Sequence, residues 1–172
     1  MNNIIENIKT RRSIRKYRSD MIPYDVLERI CEAGTYAASG MGRQSPLVIA
    51  VTDRKLRDRL SRMNADIMGT DSDPFYGAPV VIVVLADKNS STRIYDGSLV
   101  MANLMLAAHS EGLGSCWIHR AKEEFESQEG KNILKELGIS GDYEGIGHCI
   151  LGYASEPYPT AAPRKKDYIV YT

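Results

Sequence analysis

The sequence predicts an α+β protein, a sheet sandwiched between helices, and three observations carry that expectation. Helical and strand-like segments are interspersed, but without the strict βαβ alternation of a doubly wound domain. Residues 47–52 (LVIAVT) and 79–86 (PVVIVVLA) are short, apolar and β-branched, as buried strands are. Residues 95–112 are apolar nearly all round at helical spacing, which belongs at the centre of a core or at a subunit interface. With 172 residues and no repeat, low-complexity tract or linker, the chain suits one domain over residues 1–172.

Taken in order, residues 3–9 read as a short amphipathic helix that stops at the basic run Arg11-Arg12-Ser13-Ile14-Arg15-Lys16. Pro23 suits a first helical turn, and Val26, Leu27, Ile30, Ala33 and Gly34 extend that helix to about residue 38. Ser39-Gly40-Met41-Gly42 breaks it. After the strand at 47–52, Leu56, Leu60, Met63 and Ile67 mark a helix over residues 53–68. Residues 69–79 are polar and turn-rich, a loop and a candidate lid. In the helix over 95–112, Leu99, Ala102, Asn103, Leu106 and Ser110 lie near one stripe. Gly112 and Gly114 end it; residues 115–118 read as a strand, 128–137 as a helix and 148–153 as a strand. From Glu156 the tail is proline-rich and basic, and it closes on the strand-like Tyr168-Ile169-Val170-Tyr171.

Lys plus Arg and Asp plus Glu each total 22, so the formal net charge is zero and nothing general points to nucleic acid or an anionic membrane as partner. The first residues lack the continuous apolar core of a secretory leader, and no stretch approaches the roughly 20 apolar residues of a membrane span. Cys31, Cys116 and Cys149 are odd in number and far apart, which argues against a disulfide framework and for a reducing, cytoplasmic setting.

Chemistry concentrates first at Arg11-Arg12-Ser13-Ile14-Arg15. Arginine forks match phosphate oxygens, a serine hydroxyl adds a donor, and alternate residues of an extended segment share a side. Arg11, Ser13 and Arg15 could therefore converge on one phosphate, although a solvated basic turn is an equally simple reading of the motif alone. Cys116-Trp117-Ile118-His119 has C-x-x-H spacing, but no second pair is spaced to complete a zinc site, so no metal is expected. The same Cys–His pair makes a weak nucleophile and base. Gly145-Ile146-Gly147 lacks the third glycine of a dinucleotide fingerprint and precedes a strand instead of opening a helix. No P-loop is present. A nicotinamide nucleotide would then be a visiting substrate and not a tightly held cofactor.

The order of these pieces resembles the nitroreductase family over essentially the whole chain. An R-R-S-x-R motif follows a short helix, and a small-residue turn carries S-x-x-x-x-Q before the first strand. An Asn then closes the next helix, a G-L-G-S-x-W-I strand follows, and a basic tail ends the chain. The resemblance implies a mainly antiparallel sheet sandwiched by helices in an intertwined homodimer, with FMN bound between the subunits. Carried over by position, it assigns Arg11, Ser13 and Arg15 to the FMN phosphate and ribityl chain, with Arg12 close by. It brings Ala38, Ser39 and Gln44 to the flavin from the partner subunit and Asn64 to the polar edge of the ring. The backbone at Ile118 and His119 would reach the flavin N5, and Arg164 and Lys165 would complete the phosphate site from a tail, residues 156–172, that reaches the partner. One departure stands out: the family commonly shows P-S-x-x-N-x-Q-P where this chain runs Ala38-Ser39-Gly40-Met41-Gly42-Arg43-Gln44-Ser45.

The implied activity is ping-pong hydride transfer from NADH or NADPH through flavin N5 to a small electron-poor acceptor, a nitroaromatic or quinone, with no side chain needed as acid or base. Other readings stay open from the sequence: a non-catalytic flavin-binding or sensing protein, a same-fold enzyme with different flavin chemistry, or a plain anion-binding module.

Overall fold

A computed structural model describes residues 3–172; Met1 and Asn2, part of the expected domain, lie outside the described residues. The elements run α1 (Asn3–Thr10), α2 (Tyr24–Thr35), β1 (Pro46–Val51), α3 (Arg54–Met68), β2 (Val80–Asp87), α4 (Arg93–Ser110), β3 (Gly114–Ile118), α5 (Ala121–Glu126), α6 (Gln128–Glu136) and β4 (Tyr143–Gly152). A single 3-10 turn, Gly40–Gly42, precedes β1. The four strands form one sheet in the order β1-β2-β4-β3, every neighbouring pair antiparallel.

Alternation along β2 explains why its sequence is a continuous apolar run. Val81, Val83 and Leu85 face one layer with Leu60, Phe125 and Ile133, while Val80, Ile82 and Val84 face the other with Leu27, Ile30, Val100, Met101 and Leu104. Successive strand side chains point to opposite faces, and here helices cover both. The expected sandwich of a sheet between helical layers is therefore observed, with α3, α5 and α6 on one side and α2 and α4 on the other.

Local chemistry sets the helix ends. The Asp53 side chain accepts the Leu56 N–H to cap α3, and Gly69, in the left-handed region, closes it. Ser127 caps α6 by accepting the Gly130 N–H.

Several expected boundaries shift. Pro23 is the cap before α2, not its first turn, and that helix stops at Thr35 instead of near residue 38. The strand expected at 148–153 begins at Tyr143, because Gly145 and Gly147 lie inside it instead of before it. A Cβ at Gly145 would fall 2.1 Å from Ala121 O and one at Gly147 2.4 Å from Trp117 Nε1, so these glycines admit α5 and the indole to the sheet. Helix α5, only six residues long, has no counterpart in the sequence reading. The strand-like Tyr168-Ile169-Val170-Tyr171 is irregular and exposed, and among the described residues no strand pairs with it. Among the described residues, no helix is long and apolar enough to cross a membrane.

Candidate active site

Residues 11–17 form an extended ribbon beside β3. Ser13 bridges Ser115 in parallel, Ile14 N–H donates to Ser115 O at 2.9 Å, and Tyr17 bridges Ala154. Ile14 is buried and anchors the ribbon, which leaves Ser13 and Arg15 on the opposite side. Arg12 folds back, its Nη1 donating to Lys9 O at 2.8 Å and Arg11 O at 2.6 Å, so it caps the end of α1. Arg11 keeps a buried Nη1 with no protein partner. Buried donors are normally satisfied, so this one marks a place for an acceptor that the protomer does not supply.

His109, at the end of α4, reports the same field. Its Nε2 lies 2.9 Å from Thr10 Oγ1, and its pKa falls below the ordinary imidazole value through burial and then through the charges of Arg11 and Arg12. Burial alone would disfavour charge of either sign; it is the part of the shift due to Arg11 and Arg12 that marks a locally positive field.

Farther along β3, Arg15, Met68, Ser72, Pro74, Tyr76, Trp117, Ile118, His119 and Arg120 line an open cleft. Its far wall, the loop 69–79 that the sequence offered as a candidate lid, is pinned at Asp73. Asp73 accepts from Arg57 Nη2 at 2.5 Å, Ser61 Oγ at 2.5 Å, Gly77 N–H at 2.7 Å and Phe75 N–H at 2.9 Å, and Phe75 is fully buried. Burial pushes the Asp73 carboxyl up, but these donors prevail and hold it below the usual range. The loop is a pinned wall that holds Tyr76 at the cleft.

Asn64 departs from its expected place at a ring edge. It is fully buried, and its amide donates to His119 O at 2.8 Å and to Glu124 Oε1 while accepting from Arg120 Nε at 2.9 Å. No atom of it is open to a ligand; it braces the His119–Arg120 turn instead. Sequence reading gave Tyr76 no place, and it took Arg120 only as the end of the run Trp117-Ile118-His119-Arg120, whose backbone and not side chains was to reach the ring.

The structure gathers Arg11, Ser13, Arg15, Ile118 and His119 along β3 but does not bring Ala38, Ser39 or Gln44 to them. Those residues precede β1, at the other edge of the sheet. Their loop is well fixed: Asp96 accepts from Gly40 N–H at 2.9 Å, Ser45 Oγ at 2.7 Å and Thr92 Oγ1 at 2.9 Å, and Ser39 Oγ accepts the Gln44 N–H at 3.0 Å. Nor are Arg164 and Lys165 near the ribbon's contacts. Arg164 donates to Ala162 O and Lys165 lies over Tyr168, in a tail exposed throughout from Pro159 onward. The tail's root does touch the ribbon, through Lys16–Glu156 at 2.6 Å and Ser155 N–H to Lys16 O at 3.1 Å, and Pro157 and Pro159 line a pocket with Ser13 and Arg15. Among the described residues no cluster of three or more His, Cys, Asp or Glu is placed to hold a metal ion.

Comparison with known proteins meets this geometry. The sequence model of the nitroreductase family matches residues 8–70 and 65–153. A Methanothermobacter thermautotrophicus protein named for NADH dehydrogenase and NAD(P)H nitroreductase is 32% identical over 123 residues, covering 66% of this chain and 59% of that protein. The NADPH-flavin oxidoreductase of Vibrio harveyi is 32% identical over 99% of this chain and 73% of its own length. A nitroreductase from Bacteroides fragilis, solved with bound FMN, superposes with a TM-score of 0.91 at 28% identity, covering 100% of both chains.

Proposed function

The chain belongs to the nitroreductase family, and from that premise we propose that it is an FMN-dependent oxidoreductase taking hydride from NADH or NADPH. The carrying observation is that Arg15 and Arg120 line one cleft and Arg11 stands on the same ribbon, none of the three in an ion pair among the described residues, while Asp73, which also lines the cleft, is taken up by Arg57 and Ser61. A buried, partnerless Arg11 Nη1 beside Ser13 and Arg15 fits the phosphate and ribityl chain of FMN. When bound, FMN would supply the hydride chemistry, accepting at N5 and passing on to an electron-poor acceptor such as a nitroaromatic or quinone in a ping-pong cycle.

The protein's part is positional and electrostatic. Ser13 and the two arginines hold the phosphate end. The turn at Ile118 and His119, braced by Asn64, offers main-chain N–H to the ring, and Tyr76 and Trp117 give the cleft aromatic walls. No side chain has to carry a proton to the reacting carbon or nitrogen.

The reading includes a homodimer. The sheet order puts β1, which Ser39 and Gln44 precede, three strand spacings from β3, about 14 Å at the usual separation, and the Arg11–Arg15 ribbon lies beside β3, so they serve a site only in a second copy. Helix α1 buries no residue; Ile4, Ile5 and Ile8 are 69%, 51% and 54% exposed, beside an apolar groove that includes Leu106. A protomer with such a face, and with Tyr168, Ile169, Val170 and Tyr171 exposed on its tail, is built to be covered by a partner. The three free cysteines accord with a reducing cytoplasm.

An absorbance spectrum of the purified protein, followed by anaerobic addition of NADH and then NADPH, tests the reading. A yellow protein that bleaches on addition supports it; a colourless one that takes up no FMN overturns it.

A further inference from the structure

Arg120 is held in a conformation that its side chain disfavours. Its φ of 77° and ψ of 4° are left-handed, which costs a non-glycine residue about 1–2 kcal/mol. Two contacts keep it there: Asn64 Oδ1 accepts its Nε at 2.9 Å, and its own carbonyl accepts the Glu124 N–H at 3.0 Å to open α5.

Behind it lies a buried polar set, in which Glu124 Oε2 and both His148 ring nitrogens make no hydrogen bond. Asn64, Glu124 and His148 are all fully buried. Glu124 gives one oxygen to the Asn64 amide and places the other 3.1 Å from His148 Nε2. Asn64 therefore stands between a buried carboxylate and a guanidinium that would otherwise pair. Its amide engages both and leaves the positive charge of Arg120 unneutralised. The two terminal amines of Arg120 have no partner among the described residues, and the residue lines the cleft shared with Arg15, Trp117, Ile118 and His119.

Resting on the flavin reading above, we infer that Asn64 is a positioning residue presenting Arg120 as a standing cation to the bound flavin ring. A fixed positive charge facing the ring favours the electron-rich reduced ring over the oxidised one, and so raises the flavin's potential. Glu124 and His148 fix Asn64 and with it the direction of the guanidinium.

The test is the midpoint potential of FMN-loaded protein, read anaerobically against a reference dye. Three variants are compared with the wild type: Arg120→Asn, whose side chain tolerates the left-handed backbone, Arg120→Lys, and Asn64→Asp, which sets a carboxylate against the guanidinium. Arg120→Asn is expected to lose about tenfold of the preference for reduced over oxidised FMN, a fall of about 30 mV for a two-electron couple. Arg120→Lys should stay nearer the wild type, and Asn64→Asp should fall although Arg120 is still present. Arg120→Asn with FMN bound and an unchanged potential overturns the inference. If that variant does not retain FMN, Asn64→Asp decides: an unchanged potential there overturns the inference. A wild type that binds no FMN overturns instead the flavin reading beneath it.

Discussion

Gly114 and Ile14 pack so closely that a Cβ on residue 114 would lie 2.9 Å from the Ile14 Cβ. The contact is what lets the basic ribbon lie flat on β3, because the side chain it accommodates is the ribbon's buried anchor. The atom met is itself a Cβ, close to the backbone, so relief requires the ribbon to move.

Gly114→Ala is therefore expected to destabilise the protein by about 1–3 kcal/mol through overpacking. FMN affinity should fall with it, since Ser13 and Arg15 flank the displaced residue. Thermal unfolding and a flavin fluorescence titration measure the two effects; an unchanged affinity would mean that the ribbon does not hold the phosphate.

Arg11→Gln should leave the fold intact and weaken FMN binding by about 1.5–3 kcal/mol, the range for a charge-assisted hydrogen bond, or roughly 10- to 100-fold in Kd. Arg12→Gln should do less to binding, because Arg12 Nη1 is held by the carbonyls at the end of α1 and only its Nε is a buried donor without a partner. Equal losses from the two would contradict the division of roles.

Asp96 gives a pH-dependent prediction. Burial pushes its carboxyl up, but the Gly40 N–H and the Ser45 and Thr92 hydroxyls outweigh burial and hold it below its ordinary 3.8. A depressed carboxyl contributes stability above its unfolded value and loses it as pH falls through the folded one. Asp96→Asn should thus be less stable than the wild type near neutral pH, by about 1–3 kcal/mol. The gap should narrow below 3.8 in urea unfolding curves taken across acid pH. A gap independent of pH would show that the carboxylate's charge does not hold loop 38–45.

The sequence made some of this plain and hid the rest for physical reasons. Strand β2 and helices α3 and α4 were legible because burial on two faces, or on one stripe, writes a period into the residues. Helix α5 left no period in six residues, and the glycines of β4 looked like a break because their partners, Ala121 and Trp117, are distant in the chain. Asn64 was visible as an amide near the site, but its saturation by His119, Glu124 and Arg120 is a tertiary fact that no local pattern encodes. Arg11, Ser13 and Arg15 could be read together because one extended segment carries them. In the proposed dimer, Ser39, Gln44, Arg164 and Lys165 would reach that segment from a second copy, which no pattern within one chain spells out.

That dependence leads to the last prediction. The tail from Thr160 onward is exposed at every residue, and Arg164 makes no contact outside its own segment. Deleting residues 160–172 removes no core side chain, so the protomer should keep its secondary structure by circular dichroism. The exposed Tyr168, Ile169, Val170 and Tyr171 would instead be lost from a partner's surface. At roughly 1.5–3 kcal/mol for each large apolar side chain fully buried, even partial coverage by them makes a large share of a dimer interface. The truncated chain is accordingly expected to dissociate at micromolar concentration in sedimentation velocity runs, and to bind FMN more weakly as Arg164 and Lys165 go with it. A truncated protein that stays dimeric with full FMN affinity would show that the tail neither clasps the partner nor reaches the phosphate.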